Sequence, residues 1–245
     1  MSVRLVAAFL LTALALSGCE TNAQRSAKLE KAARAERLAH PQAAQRGVVV
    51  ARESPYVKVL RTDVVHDENG IAAVVLLRNT SSKPLRNAPI ALAVNDAKGA
   101  TLYQNNSPGL DTALVSVALL KPHATTLWVD DQIQAAGVPA KVHARVGEAP
   151  TASGALPRLS ISGLHTFEDP SNGLGAEGTV TNSSKVAQQK LVVYALARRG
   201  ASIVAAGRAV LPEVGAGQRV TFQVFFIGSP RGAKLEASAP PTTVG

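Results

Sequence analysis

The stretch NGIAAVVLLRNTSSK, residues 69–83, contains a turn, an apolar run typical of a β-strand, and a second turn. Asn69-Gly70 is a strong hairpin signal because both residue types tolerate the positive φ angles of a tight two-residue turn. The stretch NGLGAEGTVTNSSK, residues 172–185, repeats both turn signals. Asn-Gly recurs after 103 residues, and so does the Asn-Thr/Ser-Ser motif that begins at Asn79 and at Asn182. Two independent markers with one spacing predict a tandem duplication.

Short β-rich runs separated by Asn, Gly, Pro and Ser extend on both sides of these markers. Regular spacing of such runs is typical of a sandwich or barrel, so the sequence predicts an all-β fold. Further pairs match between the copies: Val57 and Val59 with Leu159 and Ile161, Gly99 with Gly200, and Trp128 with Phe222. The strands predicted in the first copy are 56–65, 71–78, 89–94, 100–104, 113–119, 125–129 and 141–146.

The composition also predicts where the copies begin and end. The segment 148–157, EAPTASGALP, is rich in small residues and proline and is typical of a linker. We therefore expect a first β-sandwich over residues 48–147, a second over 158–240, and a short tail over 241–245.

The order of strands and turns in each copy resembles the FxLYD-type domains of exported bacterial proteins. The signature strand would be Leu92-Ala93-Val94-Asn95-Asp96-Ala97-Lys98-Gly99 in the first copy and Val193 to Gly200 in the second, although neither carries the Tyr-Asp pair typical of the family. The resemblance implies two tandem Ig-like β-sandwich domains, of a kind often found on lipoproteins. It implies no active site.

The N-terminus predicts export. Residues 1–18 contain an early arginine, an uninterrupted apolar run from Leu5 to Ala15, and then small residues, the pattern of a secretory signal peptide. The apolar run is shorter than the roughly 18 to 20 residues that span a bilayer. Leu16-Ser17-Gly18-Cys19 resembles the lipobox of bacterial lipoproteins, which implies that Cys19 becomes the acylated first residue of the mature chain. The alternative is an ordinary signal peptide that happens to end in cysteine.

The lipid would place the protein on the outer side of a bacterial membrane. Several acyl chains on one cysteine bind the bilayer stably, whereas a single chain binds reversibly. Residues 19–47 combine this anchor with a polar stretch of good helix formers, which predicts a helical or disordered stalk. Because Cys19 is the only cysteine, no intramolecular disulfide can form and the fold must depend on its core.

The charge balance limits the classes of partner that we expect the protein to bind. The formal net charge of +9 falls to +8 when Arg4 leaves with the signal peptide, and the excess is spread thinly along the chain. A single tryptophan offers no series of stacking platforms for nucleic acid, so we expect no nucleic-acid binding. Diffuse positive charge outside a membrane instead favours anionic headgroups or anionic wall polymers, or serves only solubility.

The sequence predicts no catalytic, metal or cofactor site. The five histidines, His66, His123 and His143 in the first copy among them, are not closely spaced. The acidic pairs Asp67-Glu68 and Glu168-Asp169 fall in equivalent hairpins, where turn hydrogen bonds are the simpler explanation. No nucleophile elbow or phosphate loop occurs. Asn79, Asn105 and Asn182 begin Asn-x-Ser/Thr triplets, and their positions favour side-chain bonds to turn backbone.

Three hypotheses about function follow. The favoured hypothesis is a non-enzymatic envelope lipoprotein that binds another envelope protein or a wall polymer, for example by strand addition at a sheet edge. The alternatives are a metal or small-ligand carrier, and an envelope enzyme of unrecognised type that uses His66, His123 or His143. The surface residues expected to make contacts lie in two loops: Tyr103 and Asn105 in one, Arg198 and Arg199 in the other.

Overall fold

The Asn-Gly turn of each repeated stretch connects two adjacent antiparallel strands of one sheet. The structure is a computed structural model that describes residues 47–245, so the predicted signal peptide, Cys19 and most of the stalk lie outside the described residues. The described part is almost entirely antiparallel β-structure, and the predicted all-β class is confirmed. Within residues 47–245, no helix has the length and apolar character needed to cross a membrane.

The strands fall into two groups along the chain. The first half contains β1 (Val57–Asp67), β2 (Gly70–Asn79), β3 (Leu85–Asp96), β4 (Thr101–Gln104), helix α1 (Thr112–Val115), β5 (Ser116–Leu120), β6 (Thr125–Ile133) and β7 (Pro139–Val146). The second half contains β8 (Leu159–Asp169), β9 (Gly173–Asn182), β10 (Gln188–Arg199), β11 (Ser202–Val214), β12 (Arg219–Phe225), β13 (Ile227–Gly228) and β14 (Lys234–Ser238).

Each half pairs its strands in the same way. Strands β1, β2 and β6 form one sheet, and β8, β9 and β12 form its counterpart. In the other sheet of the first half, β3 pairs with β4, β5 and β7. Its counterpart β10 pairs with β11 and β14, and β13 joins the outer side of β11. The two halves therefore share a strand order that their sequence markers predict.

Besides β13, which has no counterpart in the first half, the halves differ in how the central strand is covered. The long strand β11 runs unbroken along β10, whereas β4 and β5 cover β3 as two separate strands. Twelve positions separate Gln104 from Ser116, against four between Ala206 and Val210, so the first half carries eight additional residues. The sequence predicts a strand from residue 113, but residues 112–115 form α1, because the Asp111 side chain accepts a hydrogen bond from the Ala113 amide and begins a helix.

The Asn-x-Ser motifs form matching buried networks. Asn79 and Asn182 are fully buried, and each Nδ2 donates to the carbonyl of the residue four positions later, at 2.8 and 2.9 Å. The oxygen of each asparagine accepts from the amide of the serine two positions later, Ser81 or Ser184. The predicted turn bonds at these two asparagines are therefore confirmed.

The two halves pack against each other through an apolar junction. Along β10, Leu191, Val193, Ala195 and Ala197 belong to the core of the second half, whereas Val192, Tyr194 and Leu196 pack in the cluster built around the first half. This alternation places opposite faces of β10 in two different cores. A strand buried on both faces needs an apolar residue at nearly every position, which is why residues 71–75 of β2 and 191–197 of β10 are continuously buried.

The segment predicted as a linker is also ordered against the first half. The Arg86 amide donates to the Pro150 carbonyl at 2.9 Å, and the Ala152 amide donates to the Pro84 carbonyl at 2.8 Å. Leu85 is paired with Leu120 of β5 and forms a further bridge to Thr151. The segment thus extends the line of β7 beside β3.

Candidate functional site

The junction between the halves contains one buried ion pair. Asp131 of β6 accepts two hydrogen bonds from Arg208 of β11: one from Nε at 3.1 Å and one from the backbone amide at 2.8 Å. The side chains of Asp131 and Arg208 are 14% and 4% exposed. Burial raises the pKa of Asp131, and the neighbouring guanidinium opposes that shift. Arg208 Nη1 is buried without a partner among the described residues, so the pair is not fully satisfied.

The preceding carboxylate faces the interior of the first half. Asp130 is fully buried, accepts from the Tyr103 hydroxyl at 3.2 Å and accepts from the Gln132 amide at 3.1 Å. Burial raises the pKa of Asp130 to about 6. Burial and the same carboxylate also raise the pKa of Tyr103. A bulge in β6 between Asp130 and Ile133 accompanies the change of direction between the two aspartates.

The eight additional residues of the first half depend on one buried amide. Asn105 is 1% exposed, accepts from the Leu92 amide at 2.7 Å, and donates from Nδ2 to the carbonyls of Ile90 and Leu114 at 2.9 and 2.8 Å. These contacts replace part of the ladder that β11 supplies in the second half. Trp128 Nε1 donates to the Ala113 carbonyl at 3.0 Å and fixes the position of α1.

A pocket of about 180 Å³ opens beside α1, and we call it the junction pocket. One wall contains Asp111 and Ala113 of the first half, and the other contains Lys190, Val192 and Tyr194 of the second. Val192 and Tyr194 are 6% and 3% exposed, so the pocket reaches the buried layer between the halves.

A second concave surface of about 310 Å³, the edge cleft, lies next to the junction pocket and shares Pro240 with it. It runs from Lys121 and Thr125, at the turn between β5 and β6, to Leu159 and Ile161 of β8 and Ser238 of β14. In the described range, β8 pairs only with β9 and β14 pairs only with β10, so both are edge strands.

The predicted contact residues separate into two places, and one of them is a correction. Asn105 was expected at the surface but is buried, because its amide satisfies three backbone groups left open by the broken strand. Tyr103 is half-buried and bound to Asp130. Arg198 pairs with Glu236 at 3.2 Å. Arg199 is exposed, and its Nη2 donates to the Arg231 carbonyl at 2.7 Å.

The three histidines considered for catalysis lie on exposed parts of the first half. His66, His123 and His143 are exposed on β1, on the turn after β5 and on β7. Residues 47–245 contain no group of three or more His, Cys, Asp or Glu side chains arranged to hold a metal ion. Asp67 accepts from the Asn69 amide at 2.8 Å, and Asp169 accepts from the amides of Ser171 and Asn172, which confirms the predicted turn bonds.

Sequence reasoning missed the partners of the acidic pair at 130–131. Asp130 and Asp131 interrupt an apolar strand, and Arg208 interrupts another, which is the signal that they belong to one buried group. No short sequence motif indicates that β6 lies next to β11.

Comparison with known proteins does not assign the chain to a family. No protein-family model matches the chain, and no curated protein matches it.

Proposed function

We propose that this protein is a non-enzymatic lipoprotein of the bacterial cell envelope, whose two halves act as one rigid module that binds another envelope protein. The anchor rests on the apolar run 5–15 and on the Leu16-Ser17-Gly18-Cys19 motif that follows it. We infer further that each half is an Ig-like β-sandwich domain produced by duplication. Support comes from the shared strand order and from the matching networks of Asn79 and Asn182.

The observation that favours binding over catalysis is that the buried charged side chains are bonded to other parts of the fold. Asp131 is bonded to Arg208, and Asp130 is bonded to Tyr103 and to the Gln132 amide, so these groups connect elements of the fold. A junction closed by apolar packing and a buried ion pair holds the surfaces beside it in fixed relative positions. Fixed geometry of this kind favours recognition, because little conformational freedom is lost on binding.

The edge cleft is the surface that we assign to the partner. It lies along β8, an edge strand whose bulge between Ser162 and His165 disturbs regular pairing. Edge strands present backbone donors and acceptors, and an extended segment of another protein binds them by strand addition. The surroundings of the cleft supply Thr125, Ser238 and the Lys121 ammonium for polar contacts. We therefore expect an extended, acidic segment of an envelope protein as the occupant.

Site-specific photocrosslinking tests the partner. A photoreactive residue at Ser238, in the cleft, should trap one discrete protein in intact cells, whereas the same residue at Lys98, in the exposed β3–β4 turn, should not. Equal products from both positions, or none from Ser238, would contradict the assignment. Recovery of wall polymer in place of protein would also contradict it.

The anchor is tested separately. Mass spectrometry of the mature protein should find an acylated Cys19 as its first residue, and Cys19→Ser should release the protein from membranes. An unmodified N-terminus, or a serine variant that stays in the membrane fraction, would overturn the lipoprotein assignment without affecting the crosslinking result.

A further inference from the structure

The first half contains eight residues that its counterpart does without, and the fold does not require them. Strand β11 covers β10 without interruption, so the same scaffold forms when the insertion is absent. In the first half the insertion breaks the strand and makes the buried amide of Asn105 necessary. The insertion needs an additional buried side chain to stabilise it, and the other half folds without it. Such an insertion is best explained by a structural feature that it forms.

The insertion builds one wall of the junction pocket. Asp111, Thr112 and Ala113 come from it, and Val192 and Tyr194 of β10 face them. The pocket volume of about 180 Å³ is close to that of an engineered protein cavity that holds benzene, so it admits a ligand of roughly six to ten non-hydrogen atoms.

The walls of the pocket combine an apolar surface with one charge of each sign. Ala113, Val192 and the Tyr194 ring supply the apolar part, and the Tyr194 hydroxyl makes no side-chain hydrogen bond within residues 47–245. Asp111 and Tyr194 both line this pocket, so a carboxylate and a hydroxyl face the same space. Lys190 is an exposed residue and also lines the pocket, so it supplies the positive charge.

The backbone at Lys190 gives a second reason to assign it a role. Its φ of 48° is left-handed, and its counterpart Asn87, also in the pocket lining, has a φ of 50°. Asparagine adopts this conformation more readily than lysine does. At this left-handed position the second half has a lysine, whereas the first half has an asparagine, which adopts the conformation more readily.

We propose that the junction pocket binds a small apolar α-amino acid in its zwitterionic form. The ligand carboxylate pairs with Lys190, its ammonium pairs with Asp111, and its side chain lies on Val192 and the Tyr194 ring. The Tyr194 hydroxyl gains a hydrogen-bond partner from the ligand. This proposal does not depend on the partner proposed for the edge cleft or on the lipid anchor, although the pocket and the cleft share Pro240.

Calorimetry on the full chain in detergent tests the proposal with defined probes. The D and L forms of alanine, leucine, norleucine and phenylalanine are titrated first, and at least one should bind saturably at one site. Hexanoate lacks the ammonium of norleucine, and norleucine amide lacks its carboxylate, so each should bind about tenfold or more weaker than norleucine itself. Trp128 is the only tryptophan and is bonded to the pocket wall at Ala113, so its fluorescence provides an independent signal.

Three variants locate the site. Asp111→Asn keeps a residue able to cap α1, and Lys190→Asn installs the residue of the duplicate position, so both should fold and bind about tenfold or more weaker. Lys185→Asn removes an exposed lysine that does not line the pocket and should bind like the parent. No binding by any amino acid up to about 10 mM, equal binding of hexanoate and norleucine, or equal loss in the Lys185 variant would overturn the proposal.

Discussion

Asn105→Ala should destabilise the protein by about 3 to 5 kcal/mol, far more than a typical loop substitution. The side chain is 1% exposed and makes three hydrogen bonds to backbone groups. Alanine would leave the Leu92 amide and the Ile90 and Leu114 carbonyls without these partners. Each buried group left open costs about 1 to 3 kcal/mol, and access of water from the adjacent exposed loop reduces the total below the simple sum.

Asn105→Asp distinguishes the hydrogen bonds from the volume of the side chain. A carboxylate has nearly the same shape and can still accept from the Leu92 amide. It cannot donate to the carbonyls of Ile90 and Leu114, and it places a charge among buried groups. Aspartate should therefore destabilise at least as much as alanine at neutral pH.

Urea unfolding followed by circular dichroism measures both effects as changes in the free energy of unfolding. The matched control is Asn106→Ala, since Asn106 is exposed and its side chain bonds only to Gln104 Oε1 at 2.9 Å. The control should change stability by less than about 0.5 kcal/mol. If Asn105→Ala also cost less than about 1 kcal/mol, the amide would not be the substitute for the missing ladder that we describe.

Three further predictions concern the junction and one turn. Asp131→Ala should cost about 3 to 5 kcal/mol because it leaves the Arg208 charge buried, whereas Asp131→Leu combined with Arg208→Met should recover most of that loss in urea unfolding. The pKa of Asp130 rises from 3.8 to about 6 on folding, so its contribution to stability is greatest below pH 4 and declines as pH rises through 6, by about 3 kcal/mol in total. Asp130→Asn should flatten that part of the pH–stability curve, and an unchanged slope would count against the assignment. His123 has a φ of 52° where the second half has Gly217 at 71°, so His123→Gly should raise stability by about 0.5 to 1 kcal/mol and Gly217→Ala should lower it by about 1 kcal/mol in thermal unfolding.

Local sequence signals were sufficient for most of the strands and for the turn motifs that recur in both halves. The turns at Asn69-Gly70 and Asn172-Gly173, and the networks of Asn79 and Asn182, depend on neighbouring residues, so their chemistry is visible in a short window. Gly99 and Gly200 were matched from sequence, and both adopt a positive φ, 89° and 60°.

The junction could not be predicted in the same way, since it depends on long-range register. Asp131 and Arg208 are 77 positions apart, and nothing near either residue marks the other. Asn105 resembles an ordinary loop asparagine in sequence, and only the interruption of the strand reveals why it is buried. The segment 148–157 has the composition of a free connector, yet its Ala152 amide donates to the Pro84 carbonyl and its Pro150 carbonyl accepts from the Arg86 amide.

The burial of β10 on both faces constrains how the chain can be divided. If either half were produced alone, a sheet face that is buried in the whole protein would be exposed to water. In the second half, Val192 and Leu196 would lie at the centre of that face. Such fragments should self-associate rather than remain dispersed. Each half covers an apolar face of the other, so a cut between them should not yield two stable, soluble domains.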